Sequence, residues 1–289
     1  MSRSAGSRAN RRGEPPPSPE PLPAPAVDSH THLDIAVGGE DRQPTDAEVD
    51  GAVAEAVAVG VPRLVQVGVD VASSRWSAAL AARRPEVLAA VALHPNEAGA
   101  GASTDGALAE IDRLAALPRV RAVGETGLDR YRTGPEGWAA QEASFRAHID
   151  IAKRHGIALV IHDRDAHDEV LRVLEEEGAP EHTVLHCFSG DAAFARACIE
   201  RGYVLSFAGT LTFGNAGRLR EAAALTPMDR LLVETDAPFL TPAPLRGRPN
   251  SSRLVPHTVR ALADLTGAPL DQLCDALTTN AERVFGAWG

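Results

Sequence analysis

Eight short apolar runs, each followed by a stretch of helical periodicity, constrain this chain more than any other feature. They are Val27 to His32, Leu64 to Val69, Val87 to Leu93, Val120 to Glu125, Ala158 to His162, Thr183 to His186, Tyr203 to Phe207 and Leu231 to Asp236. Continuous apolar runs of this length read as parallel strands buried on both faces. The intervening stretches supply crossover helices: Asp46 to Val59 with Asp46 as N-cap, Gln141 to His155 closed by Gly156, and finally His257 to Thr266 and Leu270 to Phe285. The expected fold is an α/β TIM barrel, (β/α)8, in a single domain over residues 27–289. At 289 residues and 44% hydrophobic content the chain is long enough for one such barrel and its core. In this architecture the C-terminal strand ends converge on the face that carries the chemistry.

Five of the eight runs end in residues that favour divalent metals: His30 and His32, then Glu125, His162, His186 and Asp236. Strand side chains alternate, so His30 and His32 share a face and can hold the same ion. A lone His-x-His pair is weak evidence, but five strand ends carrying ligand types form a joint pattern. The competing reading, unrelated buried histidines and acids each satisfied locally, requires repeated costly desolvation in the most apolar segments.

Composition narrows the function. Cys187, Cys198 and Cys274 form no Cys-x-x-Cys pair, so neither a disulfide framework nor a cysteine zinc site is expected, and a reducing cytoplasm suits them. No apolar run is long enough to span a membrane. The net charge of −10 argues against a broad basic surface that would coat duplex DNA, though not against a local site. Residues 1–26 stand apart: Arg3, Arg8, Arg11 and Arg12 precede a proline-rich run, which reads as a disordered arm. Arg11-Arg12 is followed by Gly13, Glu14 and prolines rather than an apolar stretch, so an export signal is not expected. The arm's arginines could touch phosphates, although a short basic tail is more often simply solvated.

The chain resembles the TatD family of metal-dependent deoxyribonucleases. The resemblance rests on Asp28-Ser29-His30-Thr31-His32-Leu33-Asp34, Gly124-Glu125-Thr126-Gly127-Leu128-Asp129, Ile161-His162-Asp163-Arg164, His186-Cys187-Phe188-Ser189-Gly190 and Glu234-Thr235-Asp236-Ala237-Pro238-Phe239-Leu240. It implies a TIM barrel, up to two divalent ions per chain and hydrolysis of phosphodiesters, with nucleic acid, in the first place DNA, as substrate. It also implies His30, His32, Glu125 and Asp236 as ligands of one ion, with Glu125 bridging to a second held by His162 and His186. Mixed nitrogen and oxygen ligands suit zinc or manganese, while the family is usually described as magnesium-dependent. The sole lysine, Lys153, falls in the helix before strand five, away from the mouth, which excludes the carbamate bridge of related amidohydrolases.

Two ions can clamp a phosphate and activate water, and Asp236 at the mouth is placed to accept the water's proton; Glu125 and Asp236 are thus the candidate catalytic residues. His94 resembles the family's Gly-x-His-Pro histidine and is a candidate for substrate phosphate, a turn histidine set by Pro95 being the plainer reading. Arg164 is a candidate phosphate clamp, against a salt bridge to Asp165 or Asp168. Asp129 is expected to orient a ligand histidine or meet substrate, and Asp28 and Glu234 to face the interior and support the histidines. Cys187 is expected to turn into the core, and His148, His155, His167, His182 and His257 to be surface or packing residues. Arg246 and Arg248 lie in a loop that could meet a phosphate backbone. Ser251 and Ser252 stand where the family has glutamate and proline, and Arg130-Tyr131-Arg132 where it often has consecutive aromatics, so stacking beside the metals would rest on Tyr131. The alternative activity is deacylation of mischarged tRNA or of another ester or amide. The sequence carries no signal of oligomeric state.

Overall fold

A computed structural model describes residues 14–39 and 42–288. It contains eight strands, β1 (Val27–Thr31), β2 (Arg63–Val67), β3 (Val87–Val91), β4 (Val120–Asp129), β5 (Ala158–Arg164), β6 (Thr183–Leu185), β7 (Val204–Phe207) and β8 (Leu231–Val233). Each pairs in parallel with the next, and the sheet order is the sequence order. A bridge between Thr31 and Ala237, with Asp236 N–H on His30 O and His32 N–H on Ala237 O, brings β8 back to β1 and closes the TIM barrel. The fold expected from the alternating pattern is the one observed.

Strand alternation sorts the apolar residues into two cores. Val65, Val67, Leu88, Ala90, Ala122, Val160, Val184, Val204 and Leu232 pack inside the barrel, and Phe285 and Trp288 from the C-terminal segment join that cluster. Their neighbours on the other face, such as Leu64, Val91, Val123, Leu159, Leu185 and Val233, pack under the helices.

The helices begin where local chemistry dictates. Thr45, not Asp46, is the N-cap of the helix Asp46–Ala58: its hydroxyl accepts from Glu48 N–H while the Glu48 carboxylate accepts from Thr45 N–H. The helix expected from Gln141 starts earlier, at Pro135, where a proline sacrifices no hydrogen bond, and ends at Gly156 in the left-handed conformation. Among the described residues no helix is long and apolar enough to cross a membrane.

The arm expected from 1–26 needs a correction over its second half. Residues 1–13 lie outside the described residues. Residues 14–26 are docked: Pro16, Leu22 and Ala26 are buried, Leu22 N–H donates to Val59 O, and Ala26 N–H to Gly60 O. Proline-rich segments carry few backbone donors, so such a strand can lie along helices at little hydrogen-bonding cost.

Candidate metal centre

The six residues expected to hold metal converge at the C-terminal mouth, and register irregularities aim two of the strands. In β1 the pairing to β2 shifts between Asp28 and Thr31, and in β4 the pairing to β5 shifts between Val123 and Thr126. These intervals contain His30 and Glu125. A bulge turns a side chain away from strict alternation, and bulges collect beside active sites. Gly124 lets β4 approach β5 here, since a Cβ on it would lie 2.5 Å from Val160 Cβ.

Glu125 is the hub. Its Oε2 lies 3.4 Å from His30 Nε2 and 3.7 Å from His32 Nε2. Its Oε1 lies 2.8 Å from His162 Nδ1, 3.0 Å from His186 Nε2 and 3.2 Å from His94 Nε2. Asp236 Oδ1 stands 3.4 Å from His32 Nε2 and 3.9 Å from His30 Nε2, on a residue with φ 52°. Three overlapping groups of donor atoms come close enough to share an ion: His30, His32 and Glu125; His30, His186 and Asp236; and His94, Glu125 and His162.

Hydrogen bonds behind the rings assign the nitrogens. His32 Nδ1–H donates to Val67 O at 3.1 Å, and His186 Nδ1–H to Glu234 Oε1 at 3.2 Å, which leaves each Nε2 lone pair facing the centre. Asp129 Oδ2 accepts from His162 Nε2–H at 3.2 Å, leaving Nδ1 toward Glu125. His94 is the opposite case. Its Nδ1 accepts from Asn96 N–H at 3.0 Å, so the proton of the neutral ring sits on Nε2, which faces Glu125 as a donor. His94 therefore sits inside the cluster rather than at its margin, in the role of donor rather than ligand.

The supporting groups are only partly those expected. Glu234 is fully buried and accepts from His186, from Cys187 N–H at 2.9 Å and from Ser206 Oγ–H at 2.5 Å. Asp28 corrects the expectation: its carboxylate takes Thr235 N–H and Oγ–H and the main-chain N–H of His30, and supports the histidines only through that backbone. Ser206 was not singled out by sequence, a serine on the interior face of an apolar strand being the available signal, and Thr235, whose O accepts from Asn250 Nδ2, was read only as part of its motif. Cys187 also departs from expectation. Strand β6 stops at Leu185, Cys187 takes φ 42°, and its half-buried thiol is pushed up by burial and by the negative charges of Asp236, Glu234 and Glu125. Arg164 lays its guanidinium 4.0 Å from the centroid of Tyr131, and Arg246 lays its own 4.1 Å from that of Phe213. His148 is fully buried, a packing residue as expected.

The electrostatics of the cluster call for positive charge. Burial works to raise the Glu125 pKa, but the neighbouring His186 and His94 imidazoles and the hydrogen bonds from His162 and His186 hold it well below the usual carboxylate range. Burial likewise opposes charge on His32 and His186. Asp236 and Glu125 nevertheless hold His32 up at about 9, and Glu125 and Glu234 hold His186 well above its ordinary value. His30 is pushed down by burial and by His186, and both its ring nitrogens are buried without a hydrogen-bond partner. An orphaned imidazole costs about 1–3 kcal/mol unless some group completes it. Two donor atoms each about 2.1 Å from one ion stand roughly 3.0–3.5 Å apart. The spacings of Glu125 and Asp236 to the imidazoles fall close to that range, so the donor set fits divalent ions.

Comparison with known proteins gives the family. The family model described as TatD related DNase matches residues 27–286. The chain belongs to the TatD family. Within the family it is 49% identical over 264 residues to a Mycobacterium tuberculosis protein described as an uncharacterized metal-dependent hydrolase TatD, covering 90% of this chain and 97% of that one. It is 36% identical to the Citrobacter rodentium 3'-5' ssDNA/RNA exonuclease TatD, over 82% of this chain and 91% of that one. The crystal structure of the Escherichia coli TatD homologue YjjV superposes with a TM-score of 0.82 at 27% identity, covering 90% of this chain and 97% of that one. TatD proteins are metal-dependent hydrolases, and the class expected from the strand-end ligands is the class of the family.

Proposed function

We propose that this TatD protein hydrolyses phosphodiester bonds of nucleic acid, DNA in the first place, with up to two divalent ions held by His30, His32, Glu125, His162, His186 and Asp236. The observation that carries the reading is the divided carboxylate of Glu125, one oxygen turned to His30 and His32 and the other to His162 and His186. The exonuclease name of the Citrobacter relative supports the choice of phosphodiester. When bound, divalent ions would supply Lewis acidity and an activated water. The remaining tasks fall to the chain. Asp236 is placed to take the proton of the attacking water, with His32 beside it to share the charge. His94 presents an N–H, and Arg164 a cation, for phosphate oxygens. Nitrogen-rich donors favour manganese or zinc, and magnesium is the third candidate. Three free cysteines suit action in a reducing cytoplasm.

The test begins with metal-free protein reloaded with magnesium, manganese or zinc and supplied with end-labelled single-stranded DNA, RNA and an aminoacyl-tRNA. Metal-dependent release of nucleotides is expected. Ester hydrolysis of the aminoacyl-tRNA without cleavage of either oligonucleotide would replace the reading with a deacylase. Glu125→Gln should lower turnover on the order of a thousandfold while the far-ultraviolet circular dichroism stays native, because an amide cannot offer two charged oxygens.

A further inference from the structure

Aromatic residues make up only 4% of the chain, and among the described residues Tyr131 and Trp138 are the only exposed ones. Both belong to the stretch that leaves β4 at the catalytic mouth and enters the helix Pro135–His155. Trp138 is committed within the protein. Its Nε1–H donates to Thr133 O at 2.9 Å, and the guanidinium 4.7 Å from its ring centroid belongs to Arg130, which also pairs with Glu169. Tyr131 is different: it is 66% exposed, and the guanidinium of Arg164 lies 4.0 Å from its ring centroid. Among the described residues no carboxylate pairs with Arg164, so the ring is what holds that cation. One face of Tyr131 is thus backed by a charge and the other is open.

This open ring is held in register with the metal centre. Asp129 divides its carboxylate: Oδ2 accepts from His162 Nε2–H at 3.2 Å, while Oδ1 accepts from Tyr131 N–H at 3.0 Å and Arg132 N–H at 2.7 Å. One acid therefore orients a candidate ligand and seats the loop that presents the ring. Two residues span at most about 7 Å, so Tyr131 is a near neighbour of that histidine. Arg130 N–H donates to Arg164 O at 2.9 Å, which ties the loop to the end of β5. Further along, Thr133 Oγ1–H donates to Asn96 Oδ1 at 3.0 Å, and Asn96 N–H donates to His94 Nδ1. Across the mouth, in the loops after β7 and β8, the order of the layers is reversed: there Arg246 is exposed and the Phe213 ring beneath it is half-buried. That side offers a cation, while the β4 side offers a ring face, the feature on which any nucleobase can stack.

We propose that the open face of Tyr131, backed by Arg164, is the platform on which a nucleobase beside the scissile phosphate stacks, so that the protein selects nucleotides whose base is free of its neighbours. The proposal rests on the nucleic-acid hydrolase reading and names the part of the substrate that is gripped. Its test uses the manganese-loaded protein and short single-stranded DNAs, identical except for one abasic residue moved stepwise from each end. In the wild type one position should matter: loss of its base should lower kcat/KM about tenfold or more, chiefly through KM. Tyr131→Leu should lose a similar factor on the intact strand and nothing further when that base is removed, and Tyr131→Trp should restore the wild-type pattern. If Tyr131→Leu lowered every substrate by one factor, the abasic strand at that position included, the ring would be a packing residue only. An abasic penalty that survives in Tyr131→Leu, or a wild type indifferent to every position, would also overturn the platform. A second measurement separates this from the hydrolase reading: 2-aminopurine carried at successive positions of the same strand loses fluorescence when it stacks on a ring. Quenching by the wild type and not by Tyr131→Leu, with no strand cleaved, would keep the platform and remove the hydrolase reading. Cleavage with neither signature of Tyr131 would do the reverse, and absence of both cleavage and quenching would remove both.

Discussion

At the residue scale the centre separates candidate ligands from the groups that orient them. Asp236 occupies the left-handed region, which asparagine tolerates nearly as well as aspartate. Asp236→Asn should therefore fold normally yet lose roughly a hundredfold or more in turnover, since an amide takes no proton at neutral pH. Steady-state kinetics beside a thermal melt of the metal-free protein checks both halves, and normal turnover would give the proton to another group. Glu234 tests the second layer. Its carboxylate gathers His186 Nδ1–H, Cys187 N–H and Ser206 Oγ–H, none of which an amide N–H can replace as acceptor. Glu234→Gln should weaken metal binding about 10–100-fold without touching an ion directly, measured by calorimetric titration with manganese. Unchanged affinity would make Glu234 a packing residue only.

At the element scale, strand β4 carries the centre because it leaves regular geometry. It pairs regularly with β5 again from Thr126 to Asp129, where Asp129 orients His162 and the register sets Gly127 opposite His162. Gly127 has φ 134°, and a Cβ there would stand 2.1 Å from His162 O. The obstacle is backbone, which cannot swing aside as a side chain can. Gly127→Ala should cost about 3 kcal/mol or more and lower the melting temperature by on the order of 5–10 °C. It should also lower metal content, because the clash displaces the strand that presents His162. A melt within a degree of wild type would show that β4 and β5 are not held to this spacing.

For the whole molecule, stability in acid turns on buried groups far from substrate. His148 lies in the long helix before β5, and its ring joins that helix to the end of β3: Nε2 accepts from Leu93 N–H at 3.0 Å and Nδ1–H donates to Ser144 O at 2.6 Å. Burial pushes its pKa from 6.5 down to about 4, so the folded chain keeps it neutral after the unfolded chain has taken a proton. Its contribution is complete above about pH 6.5 and is lost progressively as pH falls to about 4, amounting to about 3 kcal/mol. Asp28, pushed up to about 6 by burial, takes its proton first in the folded state and has the opposite sign over much of that window. The signature is therefore a difference. Relative to the wild type, His148→Gln should lose less stability between pH 6.5 and 4 in urea titrations, and parallel curves would mean that the ring is protonated in the folded state.

The barrel and the ligand types were legible in the sequence because both are local. Apolar runs bury on two faces, amphipathic stretches cover them, and the last residue of each run must lie at the mouth. The direction each ligand faces was not local. Alternation put His30 and His32 on one face, but it is the register shifts in β1 and β4 that aim His30 and Glu125, and a shift belongs to a pair of strands. Asp28 reads as an interior acid two places before His30, yet it bonds Thr235 across the β1–β8 seam. Cys187 reads as core, yet β6 ends before it and the backbone turns it toward the carboxylates. His94 was a phosphate contact or a turn residue until Asn96 N–H settled which nitrogen holds the proton. The proline-rich segment looked disordered because it lacks apolar content; helices distant in sequence supply the donors that hold it. Periodicity and residue type determine which elements form and what chemistry they carry. Tertiary structure decides which atoms meet, because register, seam and proton position depend on partners far away in the chain.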